Sequence, residues 1–510
     1  MLSQSSLFWD ELYALFSLAW PSLLSIWSII GVGLVNSVVV GRFSTTAHAA
    51  IAYGDVVMEF TLMIVLRGFN MGLRTLCAQA FGAREFHLVG QYIQMSIVGI
   101  SILCLPWGCI WVSVGWMLQF AHAEEEVVQY ASQYGRIAVF SLWPRVIFVL
   151  LSLYFSSLQI VRPEAVFATI SLICHAFLSW ILVHGIGSWS GIGFIGSPIS
   201  ISIVTWMRLL LYCCYMFLYH KLHAQTWPSR WVNSWTHFNN LLWVGGPMML
   251  GRAAEEAQLL TFALMASTLG TAPLAAHNAM IQLGLTCLCP SFGLTVGANI
   301  RIGIHLGAGN PESAKLVFRL MLRCSMAWCT FIVILYAIFH AHIGALFTHD
   351  ENVQSAIQSI SIKGVAALSF TSLCHVALGT LAGQARSVPI FVSFVTGAWV
   401  VGVPSGYFLG FVYPGSGLVG IWSGVCLGYF VTASIGVIFV SRSNWTELSR
   451  LSQQRAQCQH PSLNDEQGSL SKLFIPDLEE DSLSNLLIPD LEAKDVNGDD
   501  DDNPEGLMAG

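Results

Sequence analysis

Charge is what this chain of 510 residues has least of: Lys, Arg, Asp and Glu together make up 10% of it. A soluble domain carries about a quarter, so an ordinary water-soluble fold is excluded. No GxxxxGK[ST] loop is present to cradle a nucleotide phosphate, which leaves direct ATP drive unsupported. No basic block offers a footprint for nucleic acid. The 13 cysteines are odd in number and lie almost all within apolar runs (Cys104, Cys174, Cys213, Cys214, Cys287, Cys289), without metal-ligand spacing. They read as small core residues, and neither a disulfide framework nor a metal or cofactor site is expected. Met1 to Tyr13 contains Asp10 and Glu11 but no Lys or Arg and no small-residue cleavage site. That excludes a cleavable signal peptide, so the first apolar run stays. With no catalytic residues to name, the chain is not read as an enzyme.

What fills the chain is apolar: 55% hydrophobic residues and a mean hydropathy of +0.65. Twelve runs exceed the roughly 18 residues needed to cross a hydrocarbon core. They span 13–41, 47–72, 88–119, 128–159, 165–184, 191–219, 238–269, 273–300, 313–340, 353–383, 388–411 and 417–441. Net charge divides sharply, because residues 446–510 hold four Lys and Arg against fifteen Asp and Glu, leaving 18 against 14 for the rest.

The loops set an orientation. Arg84, Arg162, Lys221, Arg230, Arg301, Lys315, Arg386 and Arg442 fall at alternate loops, while the loop FAHAEEEV at 120–127 is acidic. By the positive-inside rule both termini are expected in the cytoplasm.

A shift of about 226 residues superimposes the two halves. Pro21 meets Pro247, Pro163 meets Pro389, FGARE at 81–85 meets LGAGN at 306–310, and the turn at Gly191 meets that at Gly417. Six segments separate the copies. An even number preserves orientation, so the predicted axis runs along the membrane normal with a cavity between two six-helix lobes. The expected divisions are a cytoplasmic amino terminus (1–12), a first lobe (13–219), a loop (220–237), a second lobe (238–441) and an acidic cytoplasmic tail (442–510). A non-transporting membrane receptor is the alternative from another class, but it predicts no such duplication.

Ionisable groups deep in a membrane mark function by default. Asp55 and Glu59 share one face of the second segment, with Arg136 as the expected partner from the fourth. Arg67, Arg145 and Arg208 are expected to snorkel to the cytoplasmic interface. In GGPMMLGRAAEEAQLL (245–260), Arg252 lies three residues before Glu255 and four before Glu256. One carboxylate is expected to be neutralised by Arg252 while the other faces the cavity and exchanges an ion. Lys363 is a candidate fixed charge, and His175, His184 and His375 can titrate, although a lone membrane histidine reads first as packing.

The stretches AWPSLLSIWSIIGVGLVNSVVVGR (19–42), GLRTLCAQAFGARE (72–85), AAHNAMIQL (275–283) and ANIRIGIHLGAGNPESAK (298–315) resemble the multidrug and toxic compound extrusion, or MATE, transporters. The resemblance covers roughly residues 10–440. It implies an all-α integral membrane protein of twelve helices in two pseudo-symmetric lobes, exporting small, often cationic, amphiphiles against an inward flow of H+ or Na+. Of the carboxylates it implies, one is kept, Glu255. Asn36, Ser179 and Ser372 stand at the other three positions. Glu255, Glu256, Asp55 and Glu59 are therefore the ion-coupling candidates, and Asn36, Ser179, Arg252, Lys363, Ser372 and His375 the cavity-lining ones. A lipid-linked oligosaccharide flippase of the same superfamily is the nearer alternative.

After Trp445 the composition turns polar and acidic, which predicts a disordered tail. Within it SLSKLFIPDLE (469–479) recurs as SLSNLLIPDLE (482–492), a candidate bivalent docking element for a cytoplasmic partner. The expected partners are otherwise a small-molecule substrate and the lipid bilayer, for a monomer of the plasma or bacterial inner membrane.

Overall fold

The computed structural model describes residues 2–221, 223–224, 226–228, 235–348 and 350–457. The duplicated tail element lies outside them.

Helix follows helix because each apolar run must satisfy its own backbone where no water reaches. The first lobe comprises α1 (Leu2–Gly41), α2 (Thr45–Gly82), α3 (Phe86–Val112) continued by α4 (Val114–Phe120), α5 (Glu125–Ser157), α6 (Arg162–His184) and α7 (Gly196–Cys213). The second comprises α8 (Trp235–Thr268), α9 (Thr271–Gly307), α10 (Pro311–Phe339), α11 (Glu351–Gly383), the crossing built from α12 (Ser387–Phe394) and α13 (Val403–Tyr407), and α14 (Gly417–Ser441). Ten crossings are apolar enough by composition alone. The other two, α2 and α8, are 38 and 34 residues long and carry the charges described above. At about 1.5 Å per residue either outspans a hydrocarbon core of roughly 30 Å.

The duplication recurs in the packing. α2 and α9 start at Thr45 and Thr271, and α5 and α11 at Glu125 and Glu351, both pairs 226 apart. In the first lobe α2 packs on α3 and α5, α5 on α7, and α1 on α6. In the second, α9 packs on α10 and α11, α11 on α14, and α8 on α12.

Prolines inside these helices remove the hydrogen bond to the carbonyl four residues back, and neighbours replace it. Pro144 frees the Phe140 carbonyl, which accepts from Trp206 Nε1 at 3.0 Å. Pro247 frees that of Trp243, which accepts from Ser387 Oγ at 3.3 Å. Such replacement lets a kinked helix persist in lipid.

The lobes meet through α1, α2, α8 and α9, and reciprocally. Leu15 of α1 is buried in the second lobe's core, while Leu241 of α8, 226 residues later, is buried in the first lobe's. Glycine permits the approach: a Cβ on Gly72 would lie 2.6 Å from Gly245 Cα, and one on Gly307 would lie 2.1 Å from the Gln79 carbonyl oxygen. These approaches cluster toward the face that carries Leu2 and Gln457. Farther along, a Cβ on Gly33 of α1 or Gly284 of α9 would meet nothing within 4 Å.

Two expectations change. Residues 445–457, assigned to the tail, form a helix, α15 (Trp445–Gln457). Its buried positions, Trp445, Ser449, Ser452 and Ala456, are mostly small and polar, so apolar periodicity does not reveal it. Arg145 does not snorkel either, as the site below shows, and Arg67's side chain lies outside the described ones. All twelve cysteines among the described residues are free.

Candidate functional site

The second lobe gathers its charges around α8. Pro247 ends one stretch of that helix, and one turn later Arg252, Glu255 and Glu256 follow at the i, i+3 and i+4 spacing at which side chains meet. Arg252 Nη1 donates to Glu255 Oε2, and its Nη2 lies 3.9 Å from Glu256 Oε1. Tyr429 of α14 donates its hydroxyl to Glu255 Oε1 at 3.1 Å. Arg252 also rests 5.8 Å from the centre of the Phe394 ring. Arg252 is thus shared: Glu255 is hydrogen-bonded to it and is 4% exposed, while Glu256 stands farther off with its side chain 25% exposed.

Neighbouring helices hold this arrangement in place. The crossing made of α12 and α13 contains π-helical turns at Val395–Gly402 and Phe408–Val412, and Trp399 in the first of them donates to the Ala254 carbonyl at 3.0 Å. Gly402, Gly406 and Gly410 face Gly420, Gly424 and Gly428 on α14, with a Cβ on Gly424 falling 2.3 Å from Gly406 Cα. Small residues at every fourth position let two membrane helices touch along their backbones. That contact carries Tyr429 to Glu255.

The first lobe is built differently. Asn36 Oδ1 accepts from His175 Nε2 at 2.9 Å and from Ser197 Oγ at 3.2 Å. His175 Nδ1 meets Ser200 Oγ at 3.0 Å. An amide oxygen only accepts, so Nε2 carries the hydrogen and the imidazole is satisfied while neutral. Ser179, one turn beyond His175, is fully buried.

Between α2 and α5 lie two further contacts. Tyr134 donates to Asp55 Oδ1 at 2.8 Å, and Arg145 pairs with Glu59. This corrects the sequence reading, which gave Arg136 as the partner; Arg136 is exposed instead. Counting residues from the segment start had set Arg145 near the interface, but helix packing turns it toward Glu59, and the pair stays half-exposed at 29% and 36%.

The remaining candidates are scattered. Ser372 bonds Ser291 Oγ at 2.9 Å and Ser325 Oγ at 2.6 Å. His375 Nδ1 bonds the Thr371 carbonyl at 2.7 Å. Lys363 is half-buried on α11. Tyr429, Tyr134, Ser197 and Ser200 were missed by sequence reasoning, since each joins its partner from a distant helix with no local pattern. Pro247 was the signal that located Glu255.

Comparison with known proteins gives this arrangement a place. A family model described as MatE matches residues 21–181 and again 247–408, two copies that start 226 residues apart. The chain belongs to the MatE family. Among curated MatE relatives, multidrug and toxin extrusion protein 1 of Xenopus tropicalis is 26% identical over 88% of this chain and 77% of its own length. The human protein of the same name is 25% identical over 88% and 78%. Multidrug resistance protein NorM of Aliivibrio fischeri is 25% identical over 86% and 95%. In fold, the crystal structure of the eukaryotic MATE transporter AtDTX14 matches with a TM-score of 0.79 at 20% identity, over 88% of this chain and all of that one. That of the Vibrio cholerae MATE transporter VcmN in the bent form matches at 0.75 and 16%, over 88% and 99%. This MatE chain is thus an integral membrane efflux transporter, not an enzyme.

Proposed function

We propose that this protein is an antiporter that exports a small organic solute in exchange for inward protons, with Glu255 as the main coupling group. What carries the reading is the cluster of Arg252, Glu255, Glu256 and Tyr429. Two carboxylates share one guanidinium, so the cluster is one negative charge in excess and a single proton balances it. A proton on Glu255 releases Arg252 toward Glu256, 3.9 Å away, and loosens the tie to Tyr429 on α14. Coupling follows, because the same event changes charge and helix contacts.

The groups around Glu255 favour a proton over sodium. A hard cation needs several oxygen ligands, whereas both carboxylate oxygens here accept hydrogens, from a guanidinium and a phenol. With both termini cytoplasmic, as the loop charges suggest, the close glycine approaches of the two lobes lie at the cytoplasmic face, and the crevice is taken to open outward. Asp55 and Glu59, both bonded in the first lobe, are read as further ion-coupling candidates, two acids beside the one base Arg145. The substrate is taken to be a small organic amphiphile, carried by a monomer.

Reconstitution into proteoliposomes tests this. Efflux of a fluorescent amphiphile is expected under an imposed pH gradient and not under a sodium gradient of equal size. Equal drive by sodium would overturn the choice of ion, and undiminished proton-driven efflux by Glu255→Gln would remove Glu255 from its role.

A further inference from the structure

We propose that α15 is a clasp across the two lobes, with Gln79 and Arg455 as positioning residues that hold the seam shut at the face carrying Leu2 and Gln457. The inference rests on the reading of the protein as a two-lobe alternating-access transporter.

α15 follows α14 directly and so belongs to the second lobe, yet it packs on α2 as well as on α9 and α10. Its second-lobe anchor is Ser449, whose hydroxyl donates to the Leu306 carbonyl at 2.9 Å. Leu306 sits in the last turn of α9, where its carbonyl also accepts from Gly309 N at 3.3 Å. Trp445 packs against Phe318 of α10 with ring centres 6.3 Å apart. From that footing Arg455 crosses the seam and donates to Gln79 Oε1 at 2.9 Å.

Gln79 is on α2, and its amide is used at both ends. Its Nε2 donates to the Gly383 carbonyl at 2.9 Å, again a last-turn oxygen, this time of α11. One turn earlier on α2, the Thr75 hydroxyl lies 2.8 Å from the Ala382 carbonyl oxygen and 3.0 Å from Asn299 Oδ1 of α9. First-lobe side chains therefore cap the end of a second-lobe helix, and α15 closes over the cap. When the lobes part at this face, Gln79 must leave both Gly383 and Arg455, because both travel with the second lobe.

The duplicated half shows that the clasp is an addition. Shifted by 226, Thr75 and Gln79 fall on Arg301 and His305 of α9. These also cross the seam, to Glu11 of α1, at 2.6 Å from Arg301 Nη2 and 2.9 Å from His305 Nε2. The segment that corresponds to α15 follows α7, however, and it closes on its own lobe: Pro228 accepts from Gln94 of α3 at 3.3 Å, and Thr226 bonds Tyr154 of α5. Among the described residues of these two matching segments, the Arg455 bond of α15 crosses the seam, and the bonds of Thr226 and Pro228 stay within the first lobe.

The experiment uses the full chain in lipid nanodiscs, with spin labels on unnatural amino acids at His87 and Glu312, both exposed on this face. Distances between labels report whether the seam is closed or parted. Arg455→Ala and Gln79→Ala are each expected to raise the parted population about tenfold, and Arg455→Lys to restore most of the closed state. Truncation after Arg442 is expected to match or exceed the single changes, while truncation after Gln457 leaves the distances as they were. Unaltered distances in Arg455→Ala and Gln79→Ala, in protein whose thermal unfolding and gel-filtration profile match the parent, would overturn the clasp. The readout needs no transport: if no variant, the parent included, changes distance with substrate or pH, the antiporter reading fails while the clasp is still judged by the variants.

Discussion

The two lobes share a plan and divide the electrostatic work. In the first, the buried cluster of Asn36, His175, Ser197 and Ser200 is satisfied without any net charge, and the lobe's acids Asp55 and Glu59 lie apart from it, half-exposed in the case of Glu59 and its partner Arg145. In the second, the buried cluster on α8 carries two acids and one base. Duplication fixed the helix order and the seam, where Leu15 and Leu241 hold matching places, but it did not fix the chemistry inside each lobe. A buried neutral network stabilises a packing arrangement, whereas a buried excess charge ties that arrangement to an ion. The contrast makes the buried cluster on α8 the first place to test for coupling.

The largest expected effect comes from removing the excess charge. Glu255→Gln keeps the size and one acceptor but cannot exchange a proton, so proton-driven efflux from proteoliposomes falls to the background rate while substrate binding persists. If efflux instead survives and the corresponding loss appears in Asn36→Ala, the roles of the lobes are reversed.

The next concerns the surface that brings Tyr429 to Glu255. A leucine at Gly424 would drive its Cβ to 2.3 Å from Gly406 Cα. Overpacking of this kind costs about 1–3 kcal/mol or more. Gly424→Leu is expected to lower the thermal midpoint in detergent by several degrees and to impair efflux. The same change at Gly33, which meets open space, should leave the midpoint nearly unmoved, and a comparable drop at both positions would refute the packing argument.

A smaller effect follows from Tyr429→Phe, which removes one hydrogen bond to a charged group, worth about 1.5–3 kcal/mol. Efflux is expected to fall without vanishing, leaving this variant between the parent and Glu255→Gln in initial rate. A rate as low as that of Glu255→Gln would mean that the phenol is itself indispensable.

How much of this was readable beforehand follows from the range of each interaction. The twelve crossings and the 226-residue repeat were legible because hydrophobic length and turn residues are local signals. The Arg252 and Glu255 pair was legible too, since three residues on one helix fix a contact. Tyr429 lies 174 residues from Glu255, and Arg145 lies 86 from Glu59. Only helix packing decides such pairs, and counting depth along α5 assigned Arg136 in place of Arg145. The helix α15 was invisible for another reason: beyond Trp445 its buried face is Ser449, Ser452 and Ala456, small and polar residues that carry no apolar periodicity.

The smallest effect on coupling is expected from Asn36→Ala. His175 Nε2 and Ser197 Oγ would lose their shared acceptor in a buried setting, and an orphaned polar group there costs about 1–3 kcal/mol. That cost belongs to stability. The thermal midpoint should therefore drop, while the efflux that remains keeps the parent's dependence on the imposed pH gradient, because nothing that exchanges an ion in the second lobe has changed. Asn36→Asp makes the comparison stricter: it places a carboxylate where the imidazole already donates at 2.9 Å and gives this cluster a titratable pair of its own. If the two buried clusters differ only by this chemistry, the added acid steepens the response of efflux to the pH gradient, and an unchanged slope would show that the cluster's geometry, not its lack of charge, keeps it out of coupling.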